Sequence, residues 1–137
     1  MPDHHPLIVI GASEGGVEAL IRLVPGLPAD LPAAVAVVMH FPASATSVLP
    51  DILDRASALP AMHAQTGESL QPGCIYVAPP DHHLLVNDGR LRLSRGPRQN
   101  NHRPAIDPLF STAARACGRR VIGVVLSGTL DDGTLRA

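Results

Sequence analysis

The sequence predicts an α/β domain built on a mostly parallel sheet, with one antiparallel hairpin attached. Three observations carry that reading. Residues 7–10, 33–39 and 121–126 are short, continuously apolar runs, as strands covered on both faces require. Stretches of helical period, 17–23 and 109–116 among them, alternate with such runs, as parallel crossovers demand. Asn87-Asp88-Gly89, flanked by 83–86 and 90–93, is a hairpin signal foreign to a strictly parallel sheet.

Composition narrows the class further. A chain of 137 residues suffices for one such domain and is short for a complete doubly wound enzyme. With no tryptophan, one tyrosine and two phenylalanines, the core has to be Val, Leu, Ile and Ala. A formal net charge of −1 argues against general nucleic-acid binding. All eleven basic residues are arginines, nine of them at or beyond Arg90. Cys74 and Cys117 sit in apolar surroundings without C-x-x-C spacing and read as inert thiols. No His, Cys or Asp spacing suggests a metal site. Met1-Pro2-Asp3-His4-His5 carries no basic leader and no long apolar segment follows. A cytoplasmic domain without membrane insertion is therefore expected.

Taken in order, the first strand ends at Gly11, and Gly15-Gly16 lead into the helix over 17–23. Pro25-Gly26-Leu27-Pro28 and Leu31-Pro32 stop that helix. The second strand, 33–39, ends in His40-Phe41-Pro42. Ser47 is placed to cap a helix running to about Ser57, with Pro50 and Asp51 in its first turn. A short strand over 62–65, a turn over 66–73 and a firmer strand over 74–78 follow, closed by Pro79-Pro80. After the hairpin, 94–103 lacks periodicity and reads as a loop. A helix over 109–116 then stops at Gly118 before the last strand, Val121–Leu126.

The chemistry gathers at strand ends. Gly11-Ala12-Ser13-Glu14-Gly15 matches G-x-S-x-G, the turn that thrusts a serine hydroxyl out of a sheet edge. Glycines there let backbone and substrate approach closely, and the helix start offers free N–H groups to a developing negative charge. His40 and then Asp131-Asp132 stand after the second and last apolar runs, on the same edge if the sheet is parallel. A serine needs an imidazole to accept its proton, and the imidazole needs a carboxylate to orient it. The order Ser…His…Asp, with the serine after the first strand, departs from the usual α/β-hydrolase. His82 and His83, if extended, face opposite sides, so His83 is a candidate for the cleft. Arg98 and Arg103, within the run that starts at Arg90, are candidates to face an acidic substrate or partner. Two rival classes stand beside the hydrolase. One is a nucleotide-binding βαβ unit using the glycines of 11–16, which Glu14 and the His40 ending of the second strand disfavour. The other is a binding module that keeps the fold without catalysis.

The sequence also resembles the catalytic domain of the chemotaxis protein-glutamate methylesterases. The stretches that carry the resemblance are Ile10-Gly11-Ala12-Ser13-Glu14-Gly15-Gly16, Val38-Met39-His40-Phe41-Pro42, Gly67-Glu68 with Pro72-Gly73-Cys74-Ile75-Tyr76-Val77-Ala78-Pro79, His83-Leu84, Arg103-Pro104-Ala105-Ile106-Asp107-Pro108-Leu109-Phe110 and Leu126-Ser127-Gly128-Thr129-Leu130-Asp131-Asp132-Gly133. The resemblance implies a Rossmann-like doubly wound sheet and a triad of Ser13, His40 and Asp132, with backbone N–H groups at Glu14 and Thr129 around the oxyanion. It implies hydrolysis of glutamate γ-methyl esters, and at times deamidation of glutamine, on the cytoplasmic helices of methyl-accepting chemoreceptors or a similarly methylated protein. It implies no cofactor. Residues 1–137 then form one catalytic domain without a receiver domain, one that ends before the further helix and strands of the family.

Overall fold

The computed structural model describes residues 5–13, 15–39, 48–98 and 103–126. Its elements run β1 (Leu7–Ala12), α1 (Gly16–Leu23), β2 (Ala34–Met39), α2 (Leu49–Ala56), β3 (Ala61–His63) and β4 (Ile75–Val77). β5 (His83–Asn87), β6 (Arg90–Ser94), α3 (Ile106–Cys117) and β7 (Val121–Leu126) complete them. Five strands form one sheet in the order β3-β4-β2-β1-β7, every pairing parallel. β5 and β6 pair antiparallel as a separate two-stranded sheet. This is the mostly parallel, doubly wound Rossmann-like architecture with one hairpin.

Period-two burial builds the two layers. In β1, Leu7 and Val9 join one core cluster while Ile10 and Ala12 join the other. β2 divides the same way, Ala34, Ala36 and Val38 against Val35, Val37 and Met39. On the second face, Leu20 of α1 and Leu49 and Leu53 of α2 close the core. On the first, Leu109 and Ala113 of α3 lie beside Leu84, Val86 and Leu91 of the hairpin. Spacings of four place Leu49 with Leu53 and Leu109 with Ala113, so each helix turns one stripe to the sheet. Burying a leucine such as Leu20, Leu53 or Leu109 stabilises the fold by about 1.5–3 kcal/mol.

The hairpin turn is built as its sequence demands. Asp88 (φ 56°) and Gly89 (φ 74°) both take left-handed backbone, the type that matches strand twist. The β3–β4 connection runs along β6: Gly67 N–H donates to Leu91 O (2.8 Å) and Leu91 N–H to Glu68 O (2.8 Å). Tyr76 pins the same connection, its hydroxyl accepting from Gln71 N–H (2.9 Å) and donating to Ser69 O (3.1 Å).

Several boundaries differ from the sequence reading. α3 begins at Ile106 rather than Leu109, because Pro108 falls in its first turn, where no N–H is needed. α2 starts after Val48, which makes no side-chain cap bond; Ser47, the expected cap, lies outside the described residues. β3 spans Ala61–His63 rather than 62–65.

Candidate active site

Ser13 stands at the C-terminal end of β1, an interior strand from which the chain turns both ways. β2 lies on one side of β1 and β7 on the other, with Ala12 level with both Met39 and Leu126. Open α/β sheets bind ligands at such a switch point. Ser13 N–H donates to Leu126 O (3.1 Å), and Ser13 O accepts from Gly16 N–H (2.7 Å). The serine is thus held by backbone on both sides while remaining partly exposed. Gly15, at the N-cap of α1, takes φ 87°, which turns the chain sharply from strand into helix. No side chain caps α1.

The other glycines of the motif serve packing more than access. A Cβ on Gly11 would lie 2.7 Å from Ile106 Cγ1, so the side-chain space above Gly11 is filled by the first turn of α3. A Cβ on Gly16 would lie 2.9 Å from Ala12 Cβ and 3.0 Å from Leu126 O. The elbow is therefore tight because α3, β1, α1 and β7 converge on it. That filling also removes an open phosphate cradle above Gly11, against the nucleotide-binding alternative.

His40 directly follows Met39, the residue level with Ala12. Ser127 to Asp132 directly follow Leu126, the carbonyl bonded to Ser13. His40, Glu14, Thr129, Asp131 and Asp132 themselves lie outside the described residues.

The three remaining candidates are described. His83 is buried at 4% exposure, and its Nε2–H donates to Pro97 O (2.8 Å). That burial leaves little of the expected substrate-facing surface at His83, while His82 donates through Nδ1 to Pro80 O (2.8 Å). Within β5, Leu84 and Val86 face the core cluster, so alternation puts His83 on the other face, where its ring is buried against Pro97. Arg103, only 11% exposed in its side chain, is spent inside the protein. Its Nε donates to Asp81 Oδ1 (2.9 Å), and its Nη1 donates to the carbonyls of Arg95 and Gly96 (3.1 Å each). Arg98 reaches Asp81 Oδ1 only at 3.4 Å and stays 57% exposed.

Asp81, which composition and spacing did not single out, is the hub of this cluster. Arg95 bonds its Oδ2 at 2.8 Å. The Arg103 hydrogen bond, with lesser help from the charges of Arg103, Arg95 and Arg98, holds the Asp81 carboxyl below the usual carboxylate range. Asp81 takes φ 62°, a backbone that Asp tolerates better than most residues. A short acid directly after Pro79-Pro80 was the available signal.

Cys74 and Cys117 are free and half-buried, and burial pushes the Cys117 thiol up. Among the described residues, no three His, Cys, Asp or Glu side chains gather as metal ligands would. None of the described helices is long and apolar enough to cross a membrane.

A serine on a glycine elbow at the switch point of a doubly wound sheet defines the class: an α/β domain with its candidate site at the end of the first strand. The chain belongs to the CheB methylesterase family, whose model matches residues 8–137. It is 43% identical over 131 residues to protein-glutamate methylesterase/protein-glutamine glutaminase 2 of Caulobacter vibrioides, covering 92% of this chain and 38% of that protein. It is 41% identical over 128 residues to protein-glutamate methylesterase/protein-glutamine glutaminase of Symbiobacterium thermophilum, covering 93% of this chain and 35% of that one. The crystal structure of the Thermotoga maritima CheB methylesterase catalytic domain superposes with a TM-score of 0.83 at 36% identity, covering 88% of this chain and 66% of that chain. The chain thus spans little more than a third of the length of these two relatives.

Proposed function

We propose that this chain is catalytic-domain sequence of a protein-glutamate methylesterase, a serine hydrolase acting on the cytoplasmic helices of methyl-accepting chemoreceptors or a similarly methylated protein. The observation that carries the reading is the elbow. Ser13 is held between β2 and β7 at the switch point, with His40 next in the chain on one side and the Asp131-Asp132 segment on the other. Family membership and the names of the relatives supply the substrate class.

In this mechanism Asp132 orients His40, which takes the Ser13 proton as the oxygen attacks the γ-ester carbonyl. Backbone N–H groups at Glu14 and Thr129 stabilise the oxyanion. His40 returns the proton to the departing methoxy group, and methanol leaves. It then removes a proton from water as the water oxygen attacks the acyl-enzyme, and passes that proton to Ser13 Oγ as the acyl bond breaks, freeing the glutamate carboxyl and the Ser13 hydroxyl. Attack on a glutamine side chain follows the same course with ammonia leaving. No cofactor takes part.

The test is intact-mass spectrometry after treatment with a serine-directed fluorophosphonate, beside the Ser13→Ala form. One adduct is expected, absent from Ser13→Ala, whose thermal unfolding stays that of the parent. No adduct on a folded chain would sink the hydrolase reading and favour a non-catalytic module.

A further inference from the structure

We propose that Arg95 and Arg98 form an anion subsite that takes side-chain carboxylates of an acidic protein segment lying along the reactive edge. Three guanidinium groups share one carboxylate, Asp81. Arg103 satisfies that carboxylate from within, through Nε at 2.9 Å and Nη2 at 2.7 Å. The two other arginines are left largely in solvent, with side chains 63% and 57% exposed. Among the described residues, these two arginines have ion pairs with Asp81 alone, so three positive charges meet one negative charge.

The backbone that carries them is tied down. Arg95 O and Gly96 O accept from Arg103, Pro97 O accepts from buried His83, and Gly96 N–H donates to Ser94 Oγ (3.0 Å). These bonds fix the backbone of 94–97, so the two guanidinium groups are presented on a preorganised loop, which lowers the entropic cost of binding. Arg98, at 3.4 Å from Asp81, is the freer of the two to turn to an incoming group.

The cluster follows the same strand ends as Ser13: Asp81 comes four residues after Val77, the last residue of β4, which runs parallel to β2 as β2 does to β1. Arg103 lies three residues before Ile106, the side chain that covers Gly11 two residues before Ser13. Three residues of chain span at most about 11 Å. Guanidinium forks pair with carboxylates bidentately, and two of them suit one or two carboxylates rather than an extended polyanion. Arg90 is elsewhere engaged, on Gly67 O at 2.9 Å, and does not widen the patch. The identity of the partner rests on the proposed reaction. Each ester or amide hydrolysed leaves one more carboxylate on the protein substrate, and the subsite would hold that acidified segment while a neighbouring side chain reaches Ser13.

The experiment is fluorescence anisotropy with a labelled helical peptide of about 20 residues carrying glutamate pairs at i,i+4 spacing, and its all-glutamine counterpart. The glutamate peptide should bind more tightly than the glutamine peptide, with a preference that shrinks as salt rises. R95Q/R98Q should weaken glutamate-peptide binding about five- to tenfold and leave glutamine-peptide binding unchanged. R98E alone should act in the same direction, and circular dichroism reports that each variant is folded. Equal binding of the two peptides, or of parent and folded double variant, overturns the subsite. So does binding to phosphatidylserine vesicles through these arginines without binding to peptide. Fluorophosphonate labelling of Ser13 in the same variants keeps the two readings separate. Labelling with no peptide preference removes the subsite alone, and peptide preference without labelling removes the reaction alone.

Discussion

Gly11 shows how a single missing side chain positions chemistry. Its place in β1 is occupied by Ile106, so the first turn of α3 can press onto the strand two residues before Ser13. Gly11→Ala would drive Cβ into Ile106 Cγ1 and Cγ2, atoms near the branch point that cannot swing aside freely. A loss of about 1–3 kcal/mol in urea unfolding is expected. Ile106→Ala in the same chain should recover part of it, giving a favourable coupling in the double-mutant cycle. Additive losses would mean that the two residues do not share this space. Ser13 itself has the opposite profile. It is partly exposed at the edge, so removing the hydroxyl is expected to spare packing and, on the proposed mechanism, to abolish turnover.

At the level of elements, the irregular segment 95–98 is nonetheless firmly held. Asp81 after β4, Arg103 before α3 and His83 in β5 join three elements across it. Asp81 is held below its ordinary range by Arg103 first, so its contribution to stability is full above the usual carboxylate range. It is lost as pH falls from that range through the depressed value. Asp81→Asn keeps a residue tolerant of positive φ while removing the charge. The gap in melting temperature between parent and Asp81→Asn should stay constant from neutral pH down to the usual carboxylate range. It should close only in stronger acid. A gap that closed well above that range would mean Asp81 is not ionised by its arginines as described.

For the molecule as a whole, the sheet is asymmetric in how its edges are finished. β3 is a short edge strand over which α2 packs. β7 runs the full six residues, with Ile122 54% and Val125 56% exposed, and no strand among the described residues pairs with its outer side. A long apolar edge is a template for association. Val125→Lys should change stability by about 0.5 kcal/mol or less, since the side chain is exposed. It should also reduce concentration-dependent self-association in sedimentation velocity. Unchanged sedimentation would show that this edge does not drive association of the chain.

The sequence alone determined the layers and the location of the elbow serine. Continuous apolar runs, glycine placement and the Asp88-Gly89 turn are local signals, and local signals survive without knowledge of partners. The motif order also made the family legible before any coordinates. Only the tertiary structure decided the strand order that puts Ser13 between β2 and β7, because parallel neighbours are set by crossovers and not by sequence proximity. It alone gave Gly11 its steric partner, buried His83 against Pro97 and spent Arg103 on Asp81. Those outcomes depend on which groups meet across 14 or more residues of chain, and composition and spacing carry no record of such encounters.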